Sequence, residues 1–125
     1  MEKIILDTNF LLAVFELHID IFAEIDKTCH FKYELYILDR TLDEVENLIK
    51  TSLLSKKRTA KAVLELIKAK KIQILDTQDL RQVDDILVDL DGYIIATIDM
   101  DLKRRLRKKH RKILTIRQKK YVILE

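Results

Sequence analysis

Four short, mostly apolar runs punctuate the chain, Ile4–Leu6, Tyr36–Leu38, Ile72–Leu75 (with Gln73 inside it) and Tyr93–Ala96, and helical patterns stand between them. Runs of three or four apolar residues are too short for helices and suit strands buried on both faces. Phe10–Phe15 and Ile19–Cys29 read as helices, and so does Thr41–Lys50, with Leu42, Val45 and Leu48 on one side. Ala60, Val63, Leu64 and Ile67 fall at i, i+3, i+4 and i+7, the spacing of an amphipathic helix. Asp84–Val88 predicts a short helix, Met100–Lys108 a basic one, and Ile113–Ile116 and Val122–Leu124 two final strands. Strands alternating with helices predict an α/β fold, a mostly parallel central sheet with helices on both faces. Its 125 residues fit one domain, 1–125, with no linker or repeat inside it.

Composition removes several classes. With 48% hydrophobic residues the chain has the apolar mass that disordered chains lack. Cys29 is the only cysteine, which excludes an internal disulfide and a multi-thiolate zinc site and fits a reducing, cytoplasmic setting. The longest wholly apolar run, Phe10–Phe15, is far too short for a membrane span, and the Met-Glu-Lys start does not read as a signal peptide. Gly92 is the only glycine, so there is no glycine-rich phosphate loop. With one glycine and no proline, turns are expected from Asp, Asn, Thr and Lys. His18, His30 and His110 are scattered and receive no catalytic role.

Charge is unevenly distributed. Lys103 to Lys120 holds eleven Lys or Arg and no acid, whereas residues 1–102 hold 13 basic against 20 acidic residues. Such asymmetry is an electrostatic footprint for phosphate backbones, and equally the pattern of a solvated basic helix face.

The acids follow the strands. Asp7 ends the first, Glu44 lies in the helix after the second, Asp84 and Asp85 open the helix before the fourth, and Asp99 and Asp101 follow the fourth. Ligands of parallel sheets bind at the carboxyl ends of strands. Several acids there repel one another unless a cation neutralises them, and hard oxygen ligands select Mg²⁺ or Mn²⁺. Each acid also has a structural reading. Asp7 or Asn9 could cap the first helix. Thr41-Leu42-Asp43-Glu44 has the capping-box pattern, and Asp84, Asp85, Asp99 and Asp101 suit positive helix N-termini.

Four stretches together resemble the motifs of PIN-domain nucleases: Ile5-Leu6-Asp7-Thr8-Asn9-Phe10, Asp43-Glu44-Val45-Glu46-Asn47-Leu48, Val83-Asp84-Asp85-Ile86-Leu87, and Ala96-Thr97-Ile98-Asp99-Met100-Asp101. Their order and approximate spacing run through nearly the whole chain. The continuation Leu102-Lys103-Arg104-Arg105-Leu106-Arg107-Lys108 is similar to the branch that processes small-subunit ribosomal RNA in archaea and eukaryotes. The stretch between Asp85 and Tyr93 is about one helical turn shorter than in that branch, which leaves Asp84, Asp85 and Asp79 open as the third acid.

The resemblance implies a PIN-like (Rossmann-like) three-layer α/β/α fold and an Mg²⁺- or Mn²⁺-dependent endoribonuclease. Asp7, Glu44, Asp84 and Asp99 would be catalytic and hold the metal, with Asp101 a further candidate ligand. Thr8 and Asn9 would orient Asp7. Lys103, Arg104, Arg105, Arg107, Lys108 and Lys109 would hold RNA phosphates. It implies ribosomal precursor RNA as the substrate and products with 5′-phosphate and 3′-hydroxyl ends. Ribosome-assembly proteins and a homodimer stay open as partners; no membrane is involved. The alternatives are a PIN ribonuclease toxin paired with an antitoxin and a non-catalytic RNA-binding scaffold.

Overall fold

The computed structural model describes residues 1–125. In chain order the elements are β1 (Glu2–Leu6), α1 (Thr8–Glu16), α2 (Ile21–Thr28), β2 (Tyr33–Leu38), α3 (Asp39–Thr51), α4 (Leu54–Ala69), β3 (Gln73–Leu75), α5 (Val83–Asp89), β4 (Tyr93–Ala96), α6 (Met100–Lys108), β5 (Ile113–Arg117) and β6 (Tyr121–Leu124). They build one six-stranded sheet in the order β3-β2-β1-β4-β5-β6. Every neighbouring pair is parallel except β5–β6, an antiparallel hairpin. This is the expected three-layer α/β/α arrangement.

Alternation within each strand divides the core. Ile4, Leu6, Leu35, Ile37, Ile94 and Ala96 face one side, where Phe10, Leu11, Val14, Ile21, Ile25, Val45, Ala60, Val63 and Ile67 cover them. Ile5, Leu38, Ile95 and Ile113 face the other side, under Ile86, Leu87, Val88, Leu102 and Leu106. The first face thus carries α1 to α4 and the second α5 and α6. Two-sided burial explains why the inner stretches of the central strands, Ile4–Leu6, Ile37–Leu38 and Ile94–Ala96, are apolar throughout, whereas edge strand β3 stays partly exposed. No helix is long and apolar enough to cross a membrane.

One local expectation changes and another is met in part. The capping-box reading of Thr41 and Glu44 fails, because α3 starts two residues earlier, at Asp39, after Leu38. Thr41 is buried inside the first turn and caps nothing. Instead Arg40 anchors this turn, donating to the carbonyls of Asp79 and Arg81 at 3.3 and 2.9 Å, while Asp39 accepts from the Thr77 hydroxyl at 3.2 Å. These bonds tie the start of α3 to the loop leading into α5. The turns divide the work: Asp76, Thr77, Asp79 and Thr97 accept from amides two residues on, as expected of turn formers, whereas the left-handed positions apart from Gly92 are filled by His18, Lys71, Gln78, His110, Gln118 and Lys119, of which only Lys was expected.

Candidate active site

Register brings the first and fourth motifs together. Leu6 pairs with Ala96, and the Asp7 amide donates to the Ala96 carbonyl at 2.9 Å, so Asp7 and Thr97 leave neighbouring strands side by side. Asp7 is 6% exposed. Its carboxylate accepts from the Thr8 amide at 2.9 Å, from Asn9 Nδ2 at 3.0 Å and from Thr97 Oγ1 at 2.9 Å. Asn9 in turn accepts from the Ile98 amide at 3.1 Å. Thr97 Oγ1 also accepts from the Asp99 amide at 3.2 Å, which locks the turn carrying Asp99 to the pocket of Asp7.

Asp7 therefore does more than cap α1. Burial, followed in smaller measure by the negative charges of Asp84 and Glu44, pushes its carboxyl up to about 6 despite three donors. Glu44 is raised by desolvation and by Asp84, with the Thr8 hydroxyl and the Arg40 charge opposing. Asp84 is raised by desolvation and then by Asp99, with Asp85 and Asp101 adding to it and Arg105 opposing. Acids from β1, α3, α5 and the β4–α6 turn thus lie within electrostatic reach of one another.

The remaining acids are engaged elsewhere. Asp85 accepts from Arg105 at 2.7 Å, and Asp101 is exposed and paired with Arg104 at 2.9 Å. Asp79 is held by Arg81, which lowers its carboxyl below the usual range, and it is not among the charges felt by Asp7. Asp99 carries out the structural role also foreseen for it, capping α6 through a 2.9 Å bond from the Leu102 amide. Asp84 and Glu44 line a cleft of about 520 Å³ with Arg40, Gln82, Val83, Asp85 and Arg105.

No three acidic, His or Cys side chains converge into a ready metal cage. The donor set nevertheless suits a hard divalent cation, because Mg²⁺ keeps several waters and takes one or two carboxylates directly. The Thr8 hydroxyl is buried and makes no bond of full hydrogen-bond geometry, although it lies near enough to Glu44 to favour that carboxylate's charge. It stands on the Glu44 side of the cleft, so Thr8 serves Asp7 through its backbone amide and not through its side chain.

The six basic residues expected to hold RNA differ in their surroundings. Lys103 is 8% exposed, its Nζ donating to Thr115 Oγ1 at 3.2 Å, so its ammonium points into the protein and not toward a strand outside. Helical phase explains this, since Lys103 is flanked on the inner side of α6 by Leu102 and Leu106. Arg104 pairs with Asp101, Arg105 with Asp85, Arg107 with Glu125 and Lys109 with Asp89. Lys108 is exposed and forms no ion pair. Residues not singled out from the sequence as site residues are Thr97 and Arg40. Thr97 sits inside the fourth motif beside Asp99, which is the signal that could have found it. Arg40 carries no local signal, because its partners lie about forty positions away.

The parallel sheet and the acids at its carboxyl edge define a class of α/β proteins, and the match to known families agrees. A model described as PIN like domain matches residues 4–119, and the chain belongs to that family. Ribonuclease VapC4 of Methanocaldococcus jannaschii is 33% identical over 125 residues, covering 97% of this chain and 95% of that protein. The solved PIN domain endonuclease Utp24 superposes with a TM-score of 0.80 at 26% identity, covering 98% of this chain and 90% of that one.

Proposed function

We propose that this protein is a metal-dependent endoribonuclease that hydrolyses RNA phosphodiesters at the edge formed by Asp7, Glu44, Asp84 and Asp99. The observation that carries the reading is a buried carboxylate, Asp7, raised to about 6 among further acids from three other segments. Burying like charges together costs stability unless a cation offsets it. The resemblance to a ribonuclease over almost the full length supports RNA as the substrate.

A bound divalent ion supplies an acidified water and neutralises charge on the leaving oxygen. The chain's own residues do the rest. Asp7, Glu44, Asp84 and Asp99 would hold the ion, with Asp101 behind them. Thr97 and Asn9 fix the Asp7 carboxylate, so it meets the ion without reorganising. Arg40 and Arg105 line the same cleft and can face a phosphate. Asp85 balances Arg105 until a phosphate replaces it.

The substrate we favour is a small-subunit ribosomal RNA precursor, supported by the basic fourth motif and the likeness to Utp24. The second reading is a ribonuclease toxin held by a protein antitoxin; the greater identity to ribonuclease VapC4 is the observation on its side. Incubation of purified protein with single-stranded and structured RNA in Mn²⁺ or Mg²⁺ tests the activity. Wild type should yield 5′-phosphate and 3′-hydroxyl ends, and Asp7→Asn should lose at least about a hundredfold in rate while keeping its circular dichroism. An equally active Asp7→Asn variant would remove Asp7 from the chemistry.

A further inference from the structure

Most of the basic charge on α6 is already matched by acids, as described above, which leaves open where the RNA strand is held. Arg111, just beyond the helix, is also paired, with Asp91. The exposed cations of the Lys103–Lys120 run without an ion-pair partner are Lys108, Lys112, Arg117, Lys119 and Lys120. Lys112 precedes β5 and so lies at the opposite, amino edge of the sheet. Arg117, Lys119 and Lys120 are together in the turn between β5 and β6.

Strand register places that turn. Leu6, Ala96 and Leu114 lie at one level across β1, β4 and β5, and Asp7 and Thr97 follow directly at the carboxyl edge. β5 is parallel to β4 and continues past that level through Thr115 and Ile116 to Arg117. Arg117 therefore stands two residues beyond the level of Asp7, two strands away. With strands ~4.8 Å apart and ~3.3 Å per residue, the separation is roughly 12 Å, within a few nucleotides of the acids. Tyr121 is directly opposite Arg117 and 37% exposed, which offers a face on which a base can stack.

The turn itself is built against local preference. Gln118 and Lys119 have φ of +54° and +56°, the pair of positive values that marks a type I′ turn, where Asn-Gly is the usual choice. The Lys120 amide closes it on the Arg117 carbonyl at 3.1 Å. Side chains at such positions are strained relative to glycine. Here Lys119 presents a cation from one of these strained positions, between Arg117 and Lys120, at a place where the fold alone would be served better by Asn-Gly.

We propose that the β5–β6 turn, through Arg117, Lys119 and Lys120, is the phosphate-backbone platform that holds single-stranded RNA beside the acidic edge. This rests on the ribonuclease reading and adds to it the surface that grips the strand. The contacts would be made to phosphates, so they position the strand without selecting a sequence. On α6, Arg104, Arg105, Arg107 and Lys109 each already face an acid that an RNA phosphate would have to displace, which makes that helix the lesser contributor.

Titration of labelled single-stranded RNA by fluorescence anisotropy, at several salt concentrations and with Mg²⁺ absent to prevent cleavage, tests the platform. Three proteins are compared: wild type, Arg117→Gln/Lys119→Gln/Lys120→Gln, and the charge-preserving Arg117→Lys/Lys119→Arg/Lys120→Arg. Each phosphate contact contributes about 0.7 to the logarithmic salt slope, so the Gln variant should lose about two units of slope and bind ~10-fold more weakly or worse at moderate salt. The charge-preserving variant should keep both. A Gln variant with wild-type affinity and slope overturns the inference, and so does a charge-preserving variant that fails as badly. If wild type cleaves RNA in the separate Mn²⁺ assay while the Gln variant binds normally, only the platform falls. If wild type neither binds nor cleaves RNA, both the platform and the ribonuclease reading fall.

Discussion

The buried Asp7 carboxylate, assigned to the ion in the proposed function, also ties stability to pH. Its carboxyl is raised from 3.8 to about 6 on folding. Between these values the native state holds a proton that the unfolded chain has released, so Asp7's contribution to stability falls as pH rises from about 4 to about 6. The shift corresponds to roughly 3 kcal/mol once the group is ionised in both states. Asn at this position has no charge to desolvate. In urea titrations without divalent metal, the stability of Asp7→Asn relative to wild type should therefore move by about 2.4 kcal/mol in the variant's favour between pH 4 and pH 7, part of the shift being already felt at pH 4. The absolute offset depends on how Asn accommodates the donors from Thr8, Asn9 and Thr97. A pH-independent difference would mean that the charge of Asp7 is already compensated within the protein.

Helix ends show how the chain manages with one glycine. The amides of His18 and Ile19 donate to the carbonyls of Phe15 and Val14, those of Lys71 and Ile72 to Lys68 and Ile67, and those of His110 and Arg111 to Arg107 and Leu106. Each pair is the double bond of a Schellman motif, in which the left-handed residue is usually glycine. Here His18, Lys71 and His110 have φ of +56°, +51° and +57°. A side chain in this region costs roughly 1–2 kcal/mol, partly returned because glycine is freer in the unfolded chain. Lys71 is exposed and makes no ion pair, so Lys71→Gly removes strain and little else. Calorimetry should show a gain of about 1 kcal/mol, a rise in Tm of about 4 °C for a chain of this size, and Lys71→Val should move it downward. The same logic places two of the three histidines, His18 and His110, in the geometry of helix termini.

At the scale of the molecule, the carboxyl edge gathers acids from four segments while cations line one flank. Native acids that repel one another weaken the fold until a cation binds them, and a ligand that binds only the native state stabilises it by mass action. Mg²⁺ or Mn²⁺ at about a hundred times its Kd should add ~2.7 kcal/mol, or roughly 10 °C in Tm, to wild type. Asp7→Asn should respond far less, and calcium-free monovalent salt at equal ionic strength should not reproduce the effect. An equal rise in both proteins would place the ion away from Asp7.

The alternation of apolar runs was enough to give the α/β class, because strands buried on both faces must be apolar throughout and helices must carry one apolar stripe. Asp7, Glu44, Asp84 and Asp99 could be picked out locally, since each follows a strand or opens a helix beside one. Which acids share a neighbourhood was not local. Asp84 reaches the field of Asp7, whereas Asp85 is turned toward Arg105 and Asp79 toward Arg81, and those choices depend on helical phase and on loops packed across the sheet. The Thr41 cap failed for a related reason: Arg40 and Asp39 find partners on a distant loop, and that tertiary anchoring starts α3 earlier than its local pattern suggests. Lys103 read as one cation in a basic run, but the helix turns it inward onto Thr115. A sequence states charge and period; only packing decides which charge meets which, because electrostatic and hydrogen-bond partners are chosen in space between residues far apart in the chain.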